Sequence, residues 1–370
     1  MALFEKRFAR WVTELPLDGS TVNLADHFYR LSMAFTTELI FGRSIESLTA
    51  VGGKGFDKAF DSGQNYAFLV FRFGKWLPWL GRRLGRKRFQ EDRKLLWQLV
   101  DRCVDDAYAK KLHLSATTDD RSSYVKRHAF LHELMRHAAD RGRVRGELLN
   151  ILLAGRDTTA SLLTNVWFTL SDRPNLWKEL QDEVSTLNGK PPTSGDLKNM
   201  KYLRAMLKES LRLHPVVPQN YREALEDVVL PTGGGPDGRA PLFVPKGKVV
   251  AWSVYAMHRR KDLFGEDADD FRPERWLDDA TAGTKGVRPE WGYLPFNGGP
   301  RTCLGQQYAM NQASYITARL CQMYSRIESR DPCPEWREKL HFTCVNLSGA
   351  KVSLTRRFQE DQGSGVCRAG

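Results

Sequence analysis

The sequence predicts a mainly α-helical fold with a small β region. Apolar residues recur at helical spacing along most of the chain as far as Leu213. Between Val228 and Val254 that spacing gives way to β-branched runs around a Gly- and Pro-rich turn. A second alternating segment runs from Leu340 to Leu354. The 370 residues can bury one large core, and 41% hydrophobic against 27% charged residues is the balance of a soluble globular chain.

Phe4 to Leu15 is amphipathic and Leu24 to Phe41 carries an apolar face, so both are helices. Tyr66 to Trp79 concentrates Phe68, Phe71, Phe73, Trp76 and Trp79. It fits either a helix-packing face or a lid or membrane-touching loop. Gln90 to Lys111 is a helix, and a long one runs from about Gly142 to Leu170. Pro174 sits in the first turn of the next helix, and Pro215 ends a helix over Asp196 to Leu213. Strands follow in Val228 to Val254, joined at Gly233 to Gly238. Phe271 to Pro300 lacks periodicity and reads as ordered coil, and a helix resumes near Leu304. Leu340 to Leu354 alternates around Ser348 and Gly349 like a hairpin. One domain over residues 1–356 and a flexible polar tail over 357–370 complete the organisation.

Lys and Arg outnumber Asp and Glu by 56 to 44, a net charge of +12. Arg82, Arg83, Arg86, Lys87 and Arg88 form one dense basic group, and Arg141, Arg143 and Arg145 another. Solvated helix faces account for such groups; docking of an acidic protein or an anionic membrane is the functional alternative. No nucleic-acid module accompanies the charge. The six cysteines include no C-x-x-C pair, which speaks against a disulfide framework or zinc site and for a reducing compartment. No signal peptide is evident, and the longest uncharged apolar-leaning stretch, Thr158 to Ser171, is too short to span a membrane.

Residues 296–305 read Phe-Asn-Gly-Gly-Pro-Arg-Thr-Cys-Leu-Gly. A thiolate that binds a metal closely needs lean backbone around it, which Gly299 and Gly305 supply. It also needs donors for its charge, available from loop amides and the start of a helix. Phe296 can shield the sulfur from water, and the planar guanidinium of Arg301 suits a carboxylate. The plainer alternative makes Cys303 a small buried hydrophobe. Residues 154–159 read Ala-Gly-Arg-Asp-Thr-Thr. Gly155 costs a helix about 1 kcal/mol against Ala and needs a reason, such as close approach of a planar ligand. Asp157 and Thr158, an acid followed by an alcohol, can hold a water and relay protons; a kink with a satisfied Asp is the alternative. Glu209 and Arg212 share a helix face, which alone is a surface pair of little worth.

Together these motifs resemble the cytochrome P-450 family. Phe296, Gly299, Arg301, Cys303 and Gly305 match its haem signature without a departure. Residues 154–159 are similar to its oxygen-activation helix. The segment around Glu209 and Arg212, with Phe271-Arg272-Pro273-Glu274-Arg275-Trp276, resembles the parts that build a buried cluster behind the cysteine loop. The match is firmest over residues 142–354. It implies the helical P-450 prism, with haem b (iron protoporphyrin IX) ligated by Cys303 and a propionate on Arg301. Ala154 and Gly155 would flank the haem, Asp157 and Thr158 would deliver protons, and Glu209, Arg212 and Arg275 would form the cluster. His214 is then a structural residue at a helix end. Val216, Val217, Gln219, Leu347 and Ser348 would line the substrate pocket.

The implied reaction is monooxygenation. Electrons from NADPH pass through NADPH–cytochrome P-450 reductase; one atom of O2 enters a hydrophobic substrate and the other leaves as water. Val217 to Arg222, the Gly233 to Gly238 turn and Met257 to Asp262 look similar to fungal members that hydroxylate alkanes and fatty acids; a secondary-metabolite intermediate is a further substrate class. The family expectation is the cytoplasmic face of the endoplasmic reticulum membrane, with peripheral membrane contact and no nucleic-acid partner. The basic groups would face the acidic reductase, and the aromatic segment leans toward the lid or membrane reading. Members usually begin with a membrane anchor, a β-rich part and a helix whose Trp-x-x-x-Arg touches the propionates. This chain starts in what resembles a later helix, and its own Trp79 to Arg83 string falls in the wrong place. The expectation is therefore a chain shortened at its N-terminus. A catalytically inactive haem-thiolate homologue and a non-oxidative member are the alternatives.

Overall fold

The computed structural model describes residues 1–16, 18–42, 55–73, 86–113, 129–137, 140–278, 283 and 285–357. Arg82, Arg83, Trp76, Trp79 and the tail after residue 357 lie outside the described residues.

Helix α1 (Ala2–Trp11) runs into a short 3-10 turn, and β1 (Val22–Asn23) leads into α2 (Leu24–Phe41). The Asn23 side chain accepts from the Ala25 amide to start α2, and Gly42, at φ 64°, ends it in the left-handed region where a Cβ is costly. Then come α3 (Phe56–Phe73), α4 (Arg86–His113) and α5 (Ala129–His137). Asp140 caps α6 (Arg141–Ser171) by accepting from the Gly142 and Arg143 amides. Its C-terminal half, Thr159 to Ser171, is buried on every side. Thr164 and Thr169 bond back to carbonyls one turn earlier, which satisfies hydroxyls that have no water.

α7 (Pro174–Ser185) begins at its proline as expected. The single helix expected over Asp196 to Leu213 is instead α8 (Ser194–Asn199) and α9 (Lys201–Leu213). A reciprocal Thr193–Asp196 cap starts the first, and buried Met200, at ψ 88°, breaks the backbone between them. Strands β2 (Gln219–Glu223), β3 (Val228–Gly234), β4 (Ala240–Val244) and β5 (Val249–Ser253) make two antiparallel pairs, β2 with β5 and β3 with β4. Short helices α10 (Val254–Met257) and α11 (Lys261–Phe264) precede the coil, and α12 (Gln306–Met323) follows the cysteine loop.

The hairpin expected over Leu340 to Leu354 does not form. After β6 (Tyr324–Ser329), β7 (Glu338–Leu340) pairs with β8 (Cys344–Asn346), while β9 (Lys351–Arg356) lies between β1 and β6. Alternation reports which face of a strand is buried, not which strand it pairs with. The turn between β8 and β9 is fastened to α2 instead: Asn23 Oδ1 also accepts from the Ala350 amide at 3.1 Å.

Two apolar clusters share α6. One joins α1, α2 and the C-terminal half of α6 to α7, α9, α12 and the three-stranded sheet. The other joins α3, α4 and α5 to its N-terminal half. The basic group at the start of α6 is largely engaged in structure. Arg141 pairs with Asp105 at 2.6 Å, and Arg145 pairs with Asp101 at 2.8 Å while lying over the Trp97 ring. Among the described residues, no helix is long and apolar enough to cross a membrane.

Candidate active site

The cysteine loop turns on two left-handed residues, Asn297 at φ 59° and Gly299 at φ 66°. Gly299, Pro300 and Arg301 make one 3-10 turn, and the Thr302 amide and hydroxyl both reach the Gly299 carbonyl. The chain then doubles back so that the Cys303 amide donates to the Phe296 carbonyl at 2.9 Å. Phe296 is half-buried against the main core. The Cys303 thiol is exposed, three residues before the start of α12. A Cβ added to Gly305 would lie 3.9 Å from the sulfur, so the glycine keeps that flank bare. Leu304 is 90% exposed, a large apolar side chain in a stretch, residues 299–307, that is exposed throughout. Gly298 has a role that sequence reasoning missed: a Cβ there would lie 2.5 Å from the Trp291 ring. Its signal was the second glycine of the pair.

Behind the loop the expected cluster is present. Glu209, Arg212 and Arg275 have fully buried side chains. Arg212 forks onto both Glu209 oxygens at 2.9 and 2.8 Å, and Arg275 Nε reaches Glu209 Oε1 at 3.0 Å. The Trp276 indole N–H and the Arg272 amide complete the shell around the carboxylate. Arg275 also binds Asp267 at 3.1 Å. Every donor and acceptor in this group has an opposite, which is the condition under which buried charge is tolerable. His214 packs flat on Trp336, ring centres 4.2 Å apart, a structural place at the end of α9.

Helix α6 continues unbroken through residues 154–159. Gly155 meets α2 there: an added Cβ would lie 2.9 Å from Thr36, and Ser32 Oγ donates to the Gly155 and Arg156 carbonyls at 3.0 and 2.8 Å. Close helix packing is thus the reason for the glycine. Ala154 is exposed and Thr158 half-exposed one turn on, although the rest of the helix beyond them is buried. Thr158 Oγ1 donates to the Ala154 carbonyl at 2.6 Å. Asp157 faces elsewhere. It is buried, 3.1 Å from Arg156, and burial raises its carboxyl above the ordinary range while Arg156 opposes the rise. The expected acid–alcohol pair therefore looks into two different surroundings.

A cavity of about 540 Å³ opens on Asp157 and also on Tyr29, Asp61, His341, Leu347 and Ser348. It brings the expected acid together with the expected tip residues. Val216 is buried and its carbonyl accepts from the Cys344 amide at 2.8 Å, tying the 216–219 segment to β8. Val217 is half-buried. Gln219 lies apart from Asp157 and lines a second recess, of about 420 Å³, with Arg301 and Arg222. Arg222 was not anticipated; its strand position beside Gln219 was the available signal. The Tyr308 hydroxyl on α12 donates to the Phe35 carbonyl, next to the Thr36 that touches Gly155, so the loop and the Gly155 turn of α6 are joined through α2. In the aromatic segment, Phe68 packs on His341 and Phe342, while Leu69, Val70, Phe71 and Phe73 remain exposed.

The cytochrome P450 family model matches residues 6–347. The chain is 42% identical over 358 residues to cytochrome P450 monooxygenase himC of Aspergillus japonicus, covering 96% of this chain and 62% of that one. It is 40% identical over 373 residues to cytochrome P450 monooxygenase fsdH of Fusarium heterosporum, covering 98% and 64%. It is 38% identical over 358 residues to cytochrome P450 52A3-A of Candida maltosa, covering 90% and 65%. The chain thus spans a little under two thirds of the length of these relatives.

Proposed function

Because the chain belongs to the cytochrome P450 family, we propose that it is a haem-dependent monooxygenase in which Cys303 is the thiolate ligand of the iron. The observation that carries this reading is a bare thiol at the start of α12, in a loop braced by a fully buried Glu–Arg–Arg cluster. The residues present fit a flat apolar group: Leu304 is a large apolar side chain left 90% exposed beside Cys303, and Ala154 is exposed on a helix that is buried beyond residue 159. When bound, haem b supplies activation of dioxygen with two electrons, so that one oxygen atom enters a C–H bond and the other leaves as water.

The chain's own residues do the rest. Cys303 holds the iron, and α12 places its positive end at the sulfur. Phe296 covers the loop from the core side, and Gly299 and Gly305 keep its backbone lean. Arg301 and Arg222, which share one recess with Gln219, offer two guanidinium groups to the carboxylates of the porphyrin. Ala154 and Thr158 present the open face of α6, with Gly155 setting its approach to α2. Asp157, whose carboxyl burial raises and Arg156 lowers, delivers protons from beside its cavity, and the Thr158 hydroxyl does so on the open face of α6. Val216, Val217, Leu347 and Ser348 border the space for an apolar substrate: a fatty acid, an alkane or a secondary-metabolite intermediate. Electrons come from NADPH through its reductase, docked on the basic surface, at the cytoplasmic face of the endoplasmic reticulum membrane.

The test is the carbon-monoxide difference spectrum of the purified, reduced chain, with Cys303→Ala beside it. The thiolate reading expects a red-shifted Soret band that Cys303→Ala abolishes. A band that survives in Cys303→Ala, or haem that separates from the chain on gel filtration, overturns it. Product analysis with fatty acids and alkanes, with and without NADPH and reductase, separates monooxygenation from non-oxidative chemistry.

A further inference from the structure

We infer that His258 is a positioning residue for the cysteine loop: its neutral imidazole joins the Glu209 cluster to the main chain of the loop at Leu294. His258 is fully buried. It is held at both ends. Its carbonyl accepts from Arg212 Nη1 at 3.0 Å, the same guanidinium that forks onto Glu209. Its ring Nε2 accepts from the Leu294 amide at 2.9 Å. Leu294 stands two residues before Phe296, whose carbonyl accepts from the Cys303 amide. The path from the buried carboxylate to the sulfur-bearing residue is therefore Glu209, Arg212, His258, Leu294, Phe296, Cys303, with hydrogen bonds at each step between elements.

The imidazole cannot turn to another partner. Tyr293 lies 4.9 Å from it, centre to centre, and Phe264 6.4 Å. Tyr293 itself is anchored through its hydroxyl to the Lys208 carbonyl at 2.9 Å. That bond ties the side chain of Tyr293 to α9; the His258 bond ties the following amide. An amide at this depth without its acceptor would carry the full cost of desolvation, so the loop's path depends on an acceptor at the ring position. Only a neutral imidazole with the proton on Nδ1 can accept at Nε2. Its surroundings maintain that state. From α9 the ring faces Arg212 and the carbonyls of Leu211 and Arg212, from its own segment Arg259, and from the loop the Tyr293 phenol. Burial, with both arginines, pushes the imidazole down to about 4, against the pull of the two carbonyls. The role goes beyond the cluster itself, because among the described residues the side chains of Glu209, Arg212 and Arg275 make no hydrogen bond to residues 294–303.

The test uses the full chain with His258→Leu, which removes the acceptor, and His258→Gln, whose amide oxygen reaches about as far as Nε2. Amide hydrogen exchange over residues 293–304 is read against exchange over α9. We expect His258→Leu to speed exchange in the loop at least tenfold with α9 unchanged, and His258→Gln to restore protection. The carbon-monoxide band should shift in the same order from thiolate-type to non-thiolate in His258→Leu and return in His258→Gln. Unchanged loop exchange in His258→Leu overturns the proposal, and so does His258→Gln behaving like the leucine variant. If His258→Leu does not fold, the pH dependence decides. Wild-type loop protection should fall as pH approaches 4 and that of His258→Gln should not; parallel curves overturn it. The spectroscopic arm rests on Cys303 as iron ligand, but the exchange arm does not. A surviving red-shifted band in Cys303→Ala with tenfold faster loop exchange in His258→Leu would sink the first reading and leave this one standing.

Discussion

Arg156 on α6 places a guanidinium nitrogen 2.6 Å from a carboxylate oxygen of Asp61 on α3, and the same nitrogen 3.1 Å from Asp157. The guanidinium lies against the rings of Tyr29 and Phe60, each 5.3 Å away. One cation thus ties α3 to α6 and sets the charge environment of the acid proposed to hold a proton. Asp61 raises the Asp157 carboxyl, and Arg156 lowers it. Replacing Asp61 by Asn removes the raising influence and leaves Arg156 to Asp157 alone. The alkaline limb of the pH–activity curve, where a proton donor loses its proton, should move to lower pH. Arg156→Leu should move it upward and cost about 1.5–3 kcal/mol of stability through the lost charged hydrogen bonds. Measured pH profiles that shift in the same direction for both variants would count against a role for Asp157 in proton delivery.

The contact between Gly155 and Thr36 gives a paired expectation. Gly155→Ala brings a methyl to 2.9 Å from Thr36. Overpacking of that kind costs about 1–3 kcal/mol, more than the helix propensity gained. Thr36→Ala removes both atoms nearest the new methyl. The double variant should recover at least half of the loss in a chemical-denaturation cycle. A Gly155→Ala chain as stable as wild type would mean that α2 and α6 have room to separate.

Glu209 is the carboxylate shared by two fully buried guanidinium groups, with Asp267 touching Arg275 from outside. Glu209→Ala leaves both cations without their shared partner, at a cost of about 3–5 kcal/mol. Its melting temperature should fall by roughly 4–6 °C. Arg275 keeps Asp267, and Glu209→Gln retains one acceptor oxygen, enough for the Arg272 amide or the Trp276 indole but not both, so it should lie between. A calorimetric scan that places Glu209→Ala within a degree or two of wild type would show that the cluster contributes nothing to stability.

His258 also predicts a pH dependence of stability. Folded, its imidazole is pushed down to about 4; unfolded, it has the ordinary value of 6.5. Between those values the unfolded chain binds the extra proton. The contribution is therefore complete above pH 6.5 and is lost as pH falls toward 4, on the order of 3 kcal/mol in all. Urea unfolding at several pH values should give a steeper loss for wild type than for His258→Gln across that window. Equal slopes would mean that the imidazole titrates freely in the folded chain.

How much was legible differs from element to element. α2 was readable residue for residue because Asn23 and the glycine at 42 are local signals at its two ends. Met200 was not readable as a break, since a buried Met fits a helix equally well until its neighbours are placed. Leu340 to Leu354 alternated as a hairpin would, yet β8 and β9 pair with different strands, because a period-2 pattern carries no partner. In the site, Cys303 and its glycines were legible as a string, and so were Glu209 and Arg212. Arg222, Asp61 and His258 were not, because each acts on a residue far away in the chain.

By itself the sequence determined which residues are proposed to carry the chemistry: a cysteine in a glycine-lean loop, an acid and an alcohol on one long helix, and a Glu–Arg pair followed by Arg275. Those are short strings whose meaning lies in chain-local spacing. Only the tertiary structure decided what each one faces. Thr36 on α2 explains Gly155, Asp61 on α3 competes for Arg156, and the His258 ring reaches Leu294. Such pairings depend on how helices and coil pack, and a hydrogen bond or a methyl clash acts over 3 Å regardless of how many residues separate its partners.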